Sequence, residues 1–207
     1  MRFGRERAIV VERYDRRIVD DSVERVHQED LCQAFGRSPG EKYQSEGGPR
    51  PQDIVGLFRD TMARGRADDS VRRFTGALAW NWLIAGTDGH ARNYSLILSG
   101  SDALLGPLYD VASYLPYERN PHQIRLAMKV GDSYSAVIRE DPWPRTAHDL
   151  GLDPGTIRDQ VRRLADAAPD AFAAAAADAE LAGADLAFAR RLVRLVSERA
   201  RACRAVL

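Results

Sequence analysis

The sequence predicts an α+β domain that is mainly α-helical, with a β-hairpin after a buried helix and a C-terminal helical bundle. Three observations support this class. Apolar residues recur at three- and four-residue steps over residues 69–85, the pattern of a largely buried helix. Two short apolar runs flank the turn residues 99–102, which indicates a hairpin. An Asp-Pro pair at 153–154 opens an alanine-rich tail that predicts two or three further helices.

The first third of the chain carries weaker patterns. Residues Ala8–Tyr14 combine four apolar residues with a polar exit, which predicts a buried strand. Residues His27–Phe35 predict a short helix, and the glycines and prolines of residues 36–51 predict a loop. Pro51 then opens a helix at its first position, which we expect to end near Arg64. Further along, the apolar residues of the segment 120–140 fit neither the helical nor the strand periodicity well.

The composition is that of a globular protein and excludes several function classes. Hydrophobic residues make up 44% of the chain and charged residues 29%, which excludes a disordered tail or a fibrous repeat. Thirty basic side chains balance thirty acidic ones, so we expect no direct nucleic-acid binding as the main task. Cys32 and Cys203 form neither a metal-binding spacing nor a disulfide framework, which favours reduced thiols in the cytoplasm. The sequence contains no pattern of a signal peptide or a membrane span, so we expect no membrane partner.

The polar loop directly after the predicted core helix carries the residues best suited to chemistry. Asp88 and Asn93 lie in this loop, and Asp110 follows the hairpin. Since a hairpin returns the chain to its starting point, we expect Asp110 to lie beside the loop. The three side chains would then offer only oxygen ligands, which suit Mg²⁺ with a remaining shell of water and phosphate. This order of helix, D-x4-N loop, hairpin and Asp is typical of phosphoryl transfer, in which the first Asp accepts a hydroxyl proton and the other two residues hold metal.

Two other interpretations of this loop stay open. Asp and Asn residues in glycine-rich loops often support turns by hydrogen-bonding the backbone. A metal-dependent phosphohydrolase would use Asp88, His90 and Asp110, although such a site needs a denser set of His and Asp residues than the sequence offers.

Five separated motifs resemble the HipA family, bacterial serine/threonine kinase toxins of type II toxin–antitoxin modules. The motifs are V-V-E-R-Y-D-R (10–16), H-Q-E-D-L-C-Q-A-F-G (27–36), K-Y-Q-S-E-G-G-P (42–49), W-L-I-A-G-T-D-G-H-A-R-N-Y-S (82–95) and P-L-Y-D-V-A-S (107–113). The resemblance implies the C-terminal lobe of a protein-kinase-like fold. Residues 1–140 would carry the hinge and the catalytic loop, and residues 141–207 a helical bundle packed on the same lobe.

The resemblance also implies a role for each matching residue. Asp88 resembles the catalytic base, and Asn93 and Asp110 resemble the Mg²⁺ ligands. Four further residues would contact ATP, two at the hinge, one at the phosphates and one beside the nucleotide: Glu12, Tyr14, His90 and Tyr109. The implied cofactors are ATP and Mg²⁺. The implied partners are a small HipB-like DNA-binding antitoxin and a protein substrate, for which the family suggests an aminoacyl-tRNA synthetase.

One part of the kinase pattern has no match in this sequence. A phosphate-covering loop and a strand lysine should precede the hinge, but few residues precede it here and none is lysine. Lys42 and Lys129, the two lysines of the chain, both follow the hinge. We therefore expect little or no kinase activity from this chain alone. The chain would then be a fragment, the product of a mis-started reading frame, or one part of a split kinase whose further partner is a separately encoded N-terminal lobe. Alternatively, it would be the product of a decayed gene, an inactive C-terminal lobe that acts as a binding module.

Overall fold

The structure is a computed structural model that describes residues 2–3, 6–7, 10–118, 120–181 and 185–207. Within these ranges the fold is α+β, as predicted, with six helices and four small antiparallel sheets. The helices are α1 (Leu31–Ala34), α2 (Pro51–Thr61), α3 (Arg64–Ile84), α4 (Trp143–Leu150), α5 (Pro154–Leu181) and α6 (Leu186–Ala205). The strands are β1 (Arg2–Phe3), β2 (Glu6–Arg7), β3 (Arg16–Val19), β4 (Ser22–Arg25), β5 (Gln28–Asp30), β6 (Ser95–Ser99), β7 (Asp102–Leu105), β8 (Arg125–Val130) and β9 (Ser133–Ser135).

Helix α3 is the centre of the hydrophobic core, which confirms the prediction from its apolar period. Phe74, in the middle of α3, packs edge-on against Phe58 of α2, with ring centroids 5.9 Å apart, and against Tyr94, at 5.2 Å. Helices α5 and α6 both pack on α3, and α4 packs on α2 and α5. The polar loop that follows α3 is therefore anchored to a helix with many buried side chains.

The C-terminal end of α3 is joined to the segment that follows Asp110. Ala85 adopts the left-handed conformation, with φ at 51°, and ends the helix. The Ser113 hydroxyl donates to the Ile84 carbonyl at 2.6 Å, and the Tyr114 N–H donates to the Ala85 carbonyl at 3.1 Å. Because these bonds satisfy the last carbonyls of the helix, they also fix the segment after Asp110 against it.

The three-stranded sheet confirms one prediction and corrects another. Strands β6 and β7 form the predicted hairpin, with Gly100 in the left-handed conformation at its turn. Strand β5 pairs with the other edge of β6, although a helix was predicted over His27–Phe35. The Asp30 carboxylate accepts a hydrogen bond from the Gln33 N–H, and the Gln33 side chain accepts one from the Asp30 N–H. This capping box starts α1 only at Leu31, so the helix prediction was wrong for residues 27–30.

The predicted buried strand over Ala8–Tyr14 is wrong in the part that the structure describes. Ala8 and Ile9 lie outside the described residues, and residues 10–13 form neither helix nor strand. Val10 and Val11 are 54% and 70% exposed. A run of apolar residues is therefore not sufficient for a strand where the described part of the chain supplies no pairing edge for it.

A buried aspartate organises the turn that replaces this strand. The Asp15 carboxylate accepts hydrogen bonds from the Arg13 guanidinium at 2.6 and 2.5 Å and from Arg16 at 2.5 Å. The chain then continues into the β3–β4 hairpin, which the sequence analysis did not predict. Its cross-strand pair Ile18 and Val23 is exposed, so the hairpin lacks the alternation of a half-buried sheet.

The C-terminal half adds the remaining elements. Residues 125–130 and 133–135 form the antiparallel pair β8–β9, which resolves the ambiguous stretch. Helix α4 begins ten residues before the predicted helical tail, at Trp143, whose fully buried ring packs on Trp82. The predicted tail is confirmed as α5 and α6. None of the helices in the described part of the chain has the length and apolarity needed to cross a membrane.

Candidate active site

A polar cavity of about 470 Å³ lies where the loop after α3 meets β5, β6 and the segment after β7. Five of the predicted site residues line it: Asp88, His90, Asn93, Tyr109 and Asp110. The loop, the hairpin and the residue after it thus meet at one place. Tyr14 lies behind the cavity wall and Glu12, which is exposed, lies in the irregular segment before it; neither lines the cavity.

Asp88 lines the cavity, and a hydrogen bond from the protein engages one of its carboxylate oxygens. Its Oδ1 accepts a hydrogen bond from the Tyr43 hydroxyl at 2.8 Å and lies 3.5 Å from the Nε2 atom of His90. Its Oδ2 has no hydrogen-bond partner among the described residues, and the side chain is 49% exposed. Tyr43 therefore holds Asp88 in place through one carboxylate oxygen, and no described residue hydrogen-bonds the other.

Asn93 is buried and its carboxamide has a fixed orientation. It ends the short 3-10 turn Ala91–Asn93, and its Nδ2 donates to the Asp88 carbonyl at 2.6 Å. Its own N–H donates to the His90 carbonyl at 2.9 Å. The remaining polar atom of the side chain is Oδ1, the only carboxamide atom that ligates Mg²⁺ well.

Asp110 has an unusual backbone conformation for a residue with a Cβ. Its φ is 55°, in the left-handed region, and its exposed carboxylate accepts no hydrogen bond within the described residues. Such a conformation costs on the order of 1 kcal/mol and is found preferentially at functional sites. No described contact of the Asp110 side chain offsets this cost, which supports a role for Asp110 in binding a ligand.

Asp88, Asn93 and Asp110 line one cavity and offer carboxylate and carboxamide oxygens, the ligand types that Mg²⁺ prefers. Two carboxylates and one carboxamide are too few for a coordination shell made by protein alone, and Mg²⁺ commonly keeps water and substrate phosphates as its other ligands. In the described ranges no group of three or more His, Cys, Asp or Glu residues is placed to hold a metal ion. Asn93 and Asp110 are the residues that would hold this ion.

His90 and Lys42 differ in what they can offer a phosphate. His90 is buried, and this burial lowers the pKa of its imidazole, so the ring is neutral at neutral pH. Its Nδ1 is buried without a hydrogen-bond partner among the described residues, and its ring meets Tyr43 edge-on at 5.1 Å. A neutral ring supplies one N–H and no charge. Lys42, with its ammonium 5.0 Å from the Tyr43 ring centroid, supplies a positive charge to the same cavity.

The two predicted tyrosines form one stacked pair. The rings of Tyr14 and Tyr109 are parallel within 24°, with centroids 6.2 Å apart. The Tyr14 hydroxyl donates to Gln28 at 2.6 Å, and the Tyr109 hydroxyl donates to the Arg92 carbonyl at 2.6 Å. Burial raises the pKa of Tyr109 to about 12, so its hydroxyl stays protonated. Tyr14 does not line the cavity itself, but it contacts three residues that do: Tyr109 through its ring, and Gln28 and Ser95 through its hydroxyl.

Sequence reasoning missed the contribution of residues 42–49, which we call the 42–49 loop. Tyr43 donates to Asp88, and the Lys42 carbonyl accepts a hydrogen bond from the Ala91 N–H at 3.1 Å. A Cβ on Gly48 would lie only 2.7 and 2.8 Å from the carbonyl oxygens of Glu41 and Tyr43, so a side chain at this position would clash with the backbone of the loop. The signal was present, because K-Y-Q-S-E-G-G-P is one of the five motifs, but the spacing argument gave its residues no role.

Comparison with known proteins identifies the family. The family model described as the HipA-like C-terminal domain matches residues 1–172. The chain belongs to this family. The HipA-like domain is 36% identical over 168 residues to Y4mE of Sinorhizobium fredii, a protein named as a kinase, and the match covers 80% of this chain and 39% of that protein.

A toxin is similar to the chain in sequence, and a solved complex contains a chain with the same fold. The serine/threonine-protein kinase toxin HipA of Shewanella oneidensis is 31% identical over 188 residues, covering 83% of this chain and 42% of the toxin. A chain from the solved complex of Shewanella oneidensis HipA, HipB and operator DNA matches with a TM-score of 0.82 at 24% identity. That match covers all of this chain and 53% of the solved one, and it confirms the predicted fold. The HipA-like domain therefore spans about two fifths of the length of these two curated relatives.

Proposed function

We propose that this HipA-like domain is the metal-binding and proton-accepting part of an ATP-dependent serine/threonine protein kinase of the toxin–antitoxin type. The observation that carries the proposal is the meeting of Asp88, Asn93 and Asp110 in one polar cavity, in the order that phosphoryl transfer uses. Two relatives named as kinases support the reaction class. Within the lobe, we assign the catalytic loop and hinge to residues 1–140 and the supporting helical bundle to residues 141–207.

The proposed reaction uses the free oxygen of Asp88. Its Oδ2 accepts the proton of a serine or threonine hydroxyl while the hydroxyl oxygen forms a bond to the γ-phosphorus of ATP. The bond between that phosphorus and the β,γ-bridging oxygen breaks, and ADP leaves. Tyr43 keeps the carboxylate oriented. Asn93 and Asp110 would hold Mg²⁺, which would supply neutralisation of phosphate charge.

The remaining predicted residues would position the nucleotide. The His90 ring would donate one hydrogen bond to a phosphate, and Tyr109, supported by Tyr14, would lie beside the nucleotide. Glu12 would act through its backbone at the hinge, a role that does not require its side chain to line the cavity. Lys42 adds a positive charge near the phosphates, which the sequence analysis did not assign.

The partners follow from the family. The solved relative is a complex of HipA with HipB and operator DNA, so we propose a HipB-like DNA-binding antitoxin for the full protein. Its substrate would be a protein serine or threonine, with an aminoacyl-tRNA synthetase as the first candidate. The proposed location is the cytoplasm, where such a substrate would be found.

Calorimetric titration with Mg²⁺ and ADP tests the site, because this chain spans only part of its relatives' length and binding does not require transfer. We expect Mg²⁺-dependent ADP binding that weakens about tenfold or more in Asp110→Asn, which removes one charged ligand. Asp170→Asn, an exposed substitution on α5, is the matched control and should bind as the unmodified protein does. ADP binding that is independent of Mg²⁺, or equal in both variants, would contradict the proposal.

The same preparation separates the alternative functions. With labelled ATP and no protein acceptor, a phosphohydrolase would release inorganic phosphate in an Asp110-dependent manner. A kinase lobe would release little phosphate; once an N-terminal lobe is supplied, it would transfer phosphate to an acceptor protein, and Asp88→Asn would abolish that transfer. An inactive binding module would bind Mg²⁺–ADP but transfer nothing to any acceptor.

A further inference from the structure

A second cavity, of about 650 Å³, lies outside the candidate active site and is larger than it. It separates α6 from the β8–β9 region. Ile124 and Ala136, both buried, form its floor, and Ile138 lies beside them. Leu195 and Ala202 of α6 line the opposite wall. A concave, mostly apolar surface of this volume is the usual form of a small-molecule site.

One buried cation faces this cavity. Arg199 of α6 is only 8% exposed, and its Nε and Nη2 both donate to the Trp82 carbonyl near the end of α3, at 3.1 and 2.7 Å. Its Nη1 has no hydrogen-bond partner among the described residues, and the surrounding protein does not enclose this atom completely. Arg199 lines the cavity, so an anion bound there would pair with this third nitrogen.

The charge of Arg199 has no carboxylate to balance it. Burial lowers the pKa of its guanidinium, and the nearby Cys203 thiol offsets that shift only in part. The two carboxylates that line the cavity are engaged elsewhere: Glu198 pairs with Arg194 at 3.0 Å, and Glu118 accepts the Asn120 N–H at 2.7 Å. A buried charge without a partner is costly, and an anion that paired with it would recover part of that cost.

We propose that this cavity binds a small monocarboxylate with an apolar chain. Its carboxylate would accept hydrogen bonds from Arg199, and its chain would lie along Ile124, Leu195 and Ala202. A guanidinium is planar and more weakly hydrated than an ammonium, and its N–H groups match the geometry of a planar carboxylate. The proposal does not depend on the proposed kinase function, because no residue of this cavity lines the candidate active site.

The test compares three probes on the full chain by calorimetry: octanoate, octan-1-ol and acetate. Octanoate carries both the charge and the chain, whereas each of the others carries one of them. We expect saturable octanoate binding with an affinity at least about tenfold above that of either control probe. Equal affinities for octanoate and octan-1-ol would show that Arg199 plays no part, and absence of octanoate binding would overturn the proposal outright.

Two phenylalanine substitutions on α6 locate the bound probe. Ala202→Phe places a ring in the cavity from an exposed position, and Ala205→Phe makes the same change one turn later, outside the cavity. Octanoate binding should fall about tenfold or more in the first variant and stay unchanged in the second. Thermal unfolding followed by circular dichroism verifies that both variants are folded. Unchanged binding in a folded Ala202→Phe variant would place the probe elsewhere and overturn the proposal.

Discussion

At the scale of single residues, the hydrogen bond between Tyr43 and Asp88 decides how the proposed base is held. The bond is 2.8 Å long and joins residues 45 positions apart in the chain. Tyr43→Phe removes only the hydroxyl, so we expect the free energy of unfolding to fall by about 1 kcal/mol. Urea denaturation of Tyr43→Phe, Asp88→Ala and the double variant measures the coupling. A coupling energy near zero would mean that the two groups do not interact in solution.

Substitutions of Asp110 separate the energetic cost of its backbone conformation from its proposed role in binding Mg²⁺. Glycine adopts a φ of 55° freely, whereas a β-branched residue does so only with strain. Asp110→Val should therefore be less stable than Asp110→Gly by about 1–2 kcal/mol, although the native side chain is exposed. Both variants should lose Mg²⁺-dependent ADP binding equally. Equal stability of the two variants would show that the loop relaxes to another conformation.

Asp15 predicts a dependence of stability on pH. Hydrogen bonds from Arg13, followed by the charges of Arg13 and Arg16, lower its pKa from the usual 3.8 to about 2. Because the folded state holds the carboxylate ionised, the stabilisation is complete above about pH 4 and is lost as the pH falls towards about 2. The difference in unfolding free energy between the unmodified protein and Asp15→Asn should shrink over this interval. Urea denaturation at several pH values measures it, and Arg13→Gln should remove part of the effect.

At the scale of elements, the 42–49 loop depends on a close approach of its backbone. A methyl group at Gly48 would meet two carbonyl oxygens at under 3 Å, whereas one at Gly40 would meet only the Ser38 hydroxyl at 3.8 Å. Gly48→Ala should therefore cost about 1–3 kcal/mol, and the matched Gly40→Ala little. We also expect weaker Mg²⁺–ADP binding in Gly48→Ala, since the loop carries Lys42 into the cavity. Comparable stability of both variants would contradict the tight closure.

Elements with a strong internal period could be predicted, and elements set by distant pairing could not. Helix α3 and the β6–β7 hairpin follow from the spacing of their own apolar residues. Strand β5 is fixed by pairing with β6, which lies more than sixty residues later, so its own sequence resembled a helix. The turn at Asp15 depends on charged contacts that an apolar run did not reveal.

At the scale of the whole molecule, some residues of the candidate site could likewise be predicted from the sequence, and others could not. Asp88, Asn93 and Asp110 could be placed together because one loop and one hairpin connect them. Tyr43 and Lys42 could not be placed there from the sequence. They belong to the 42–49 loop, which lies earlier in the chain and comes close to Asp88 only in the folded protein. Chain order thus predicted the residues that a single supersecondary unit carries, and not those that another part of the fold contributes.

Amide hydrogen exchange at two backbone hydrogen bonds can follow the opening of the cavity separately on its two sides, the 42–49 loop and the segment after Asp110. The Ala91 N–H, bound to the Lys42 carbonyl, exchanges only when the 42–49 loop separates from the loop that carries Asp88. The Tyr114 N–H, bound to the Ala85 carbonyl, exchanges only when the segment after Asp110 leaves α3. A nucleotide held between the two walls would slow both exchange rates together, whereas a ligand that touched one wall would protect one amide and leave the other at its original rate.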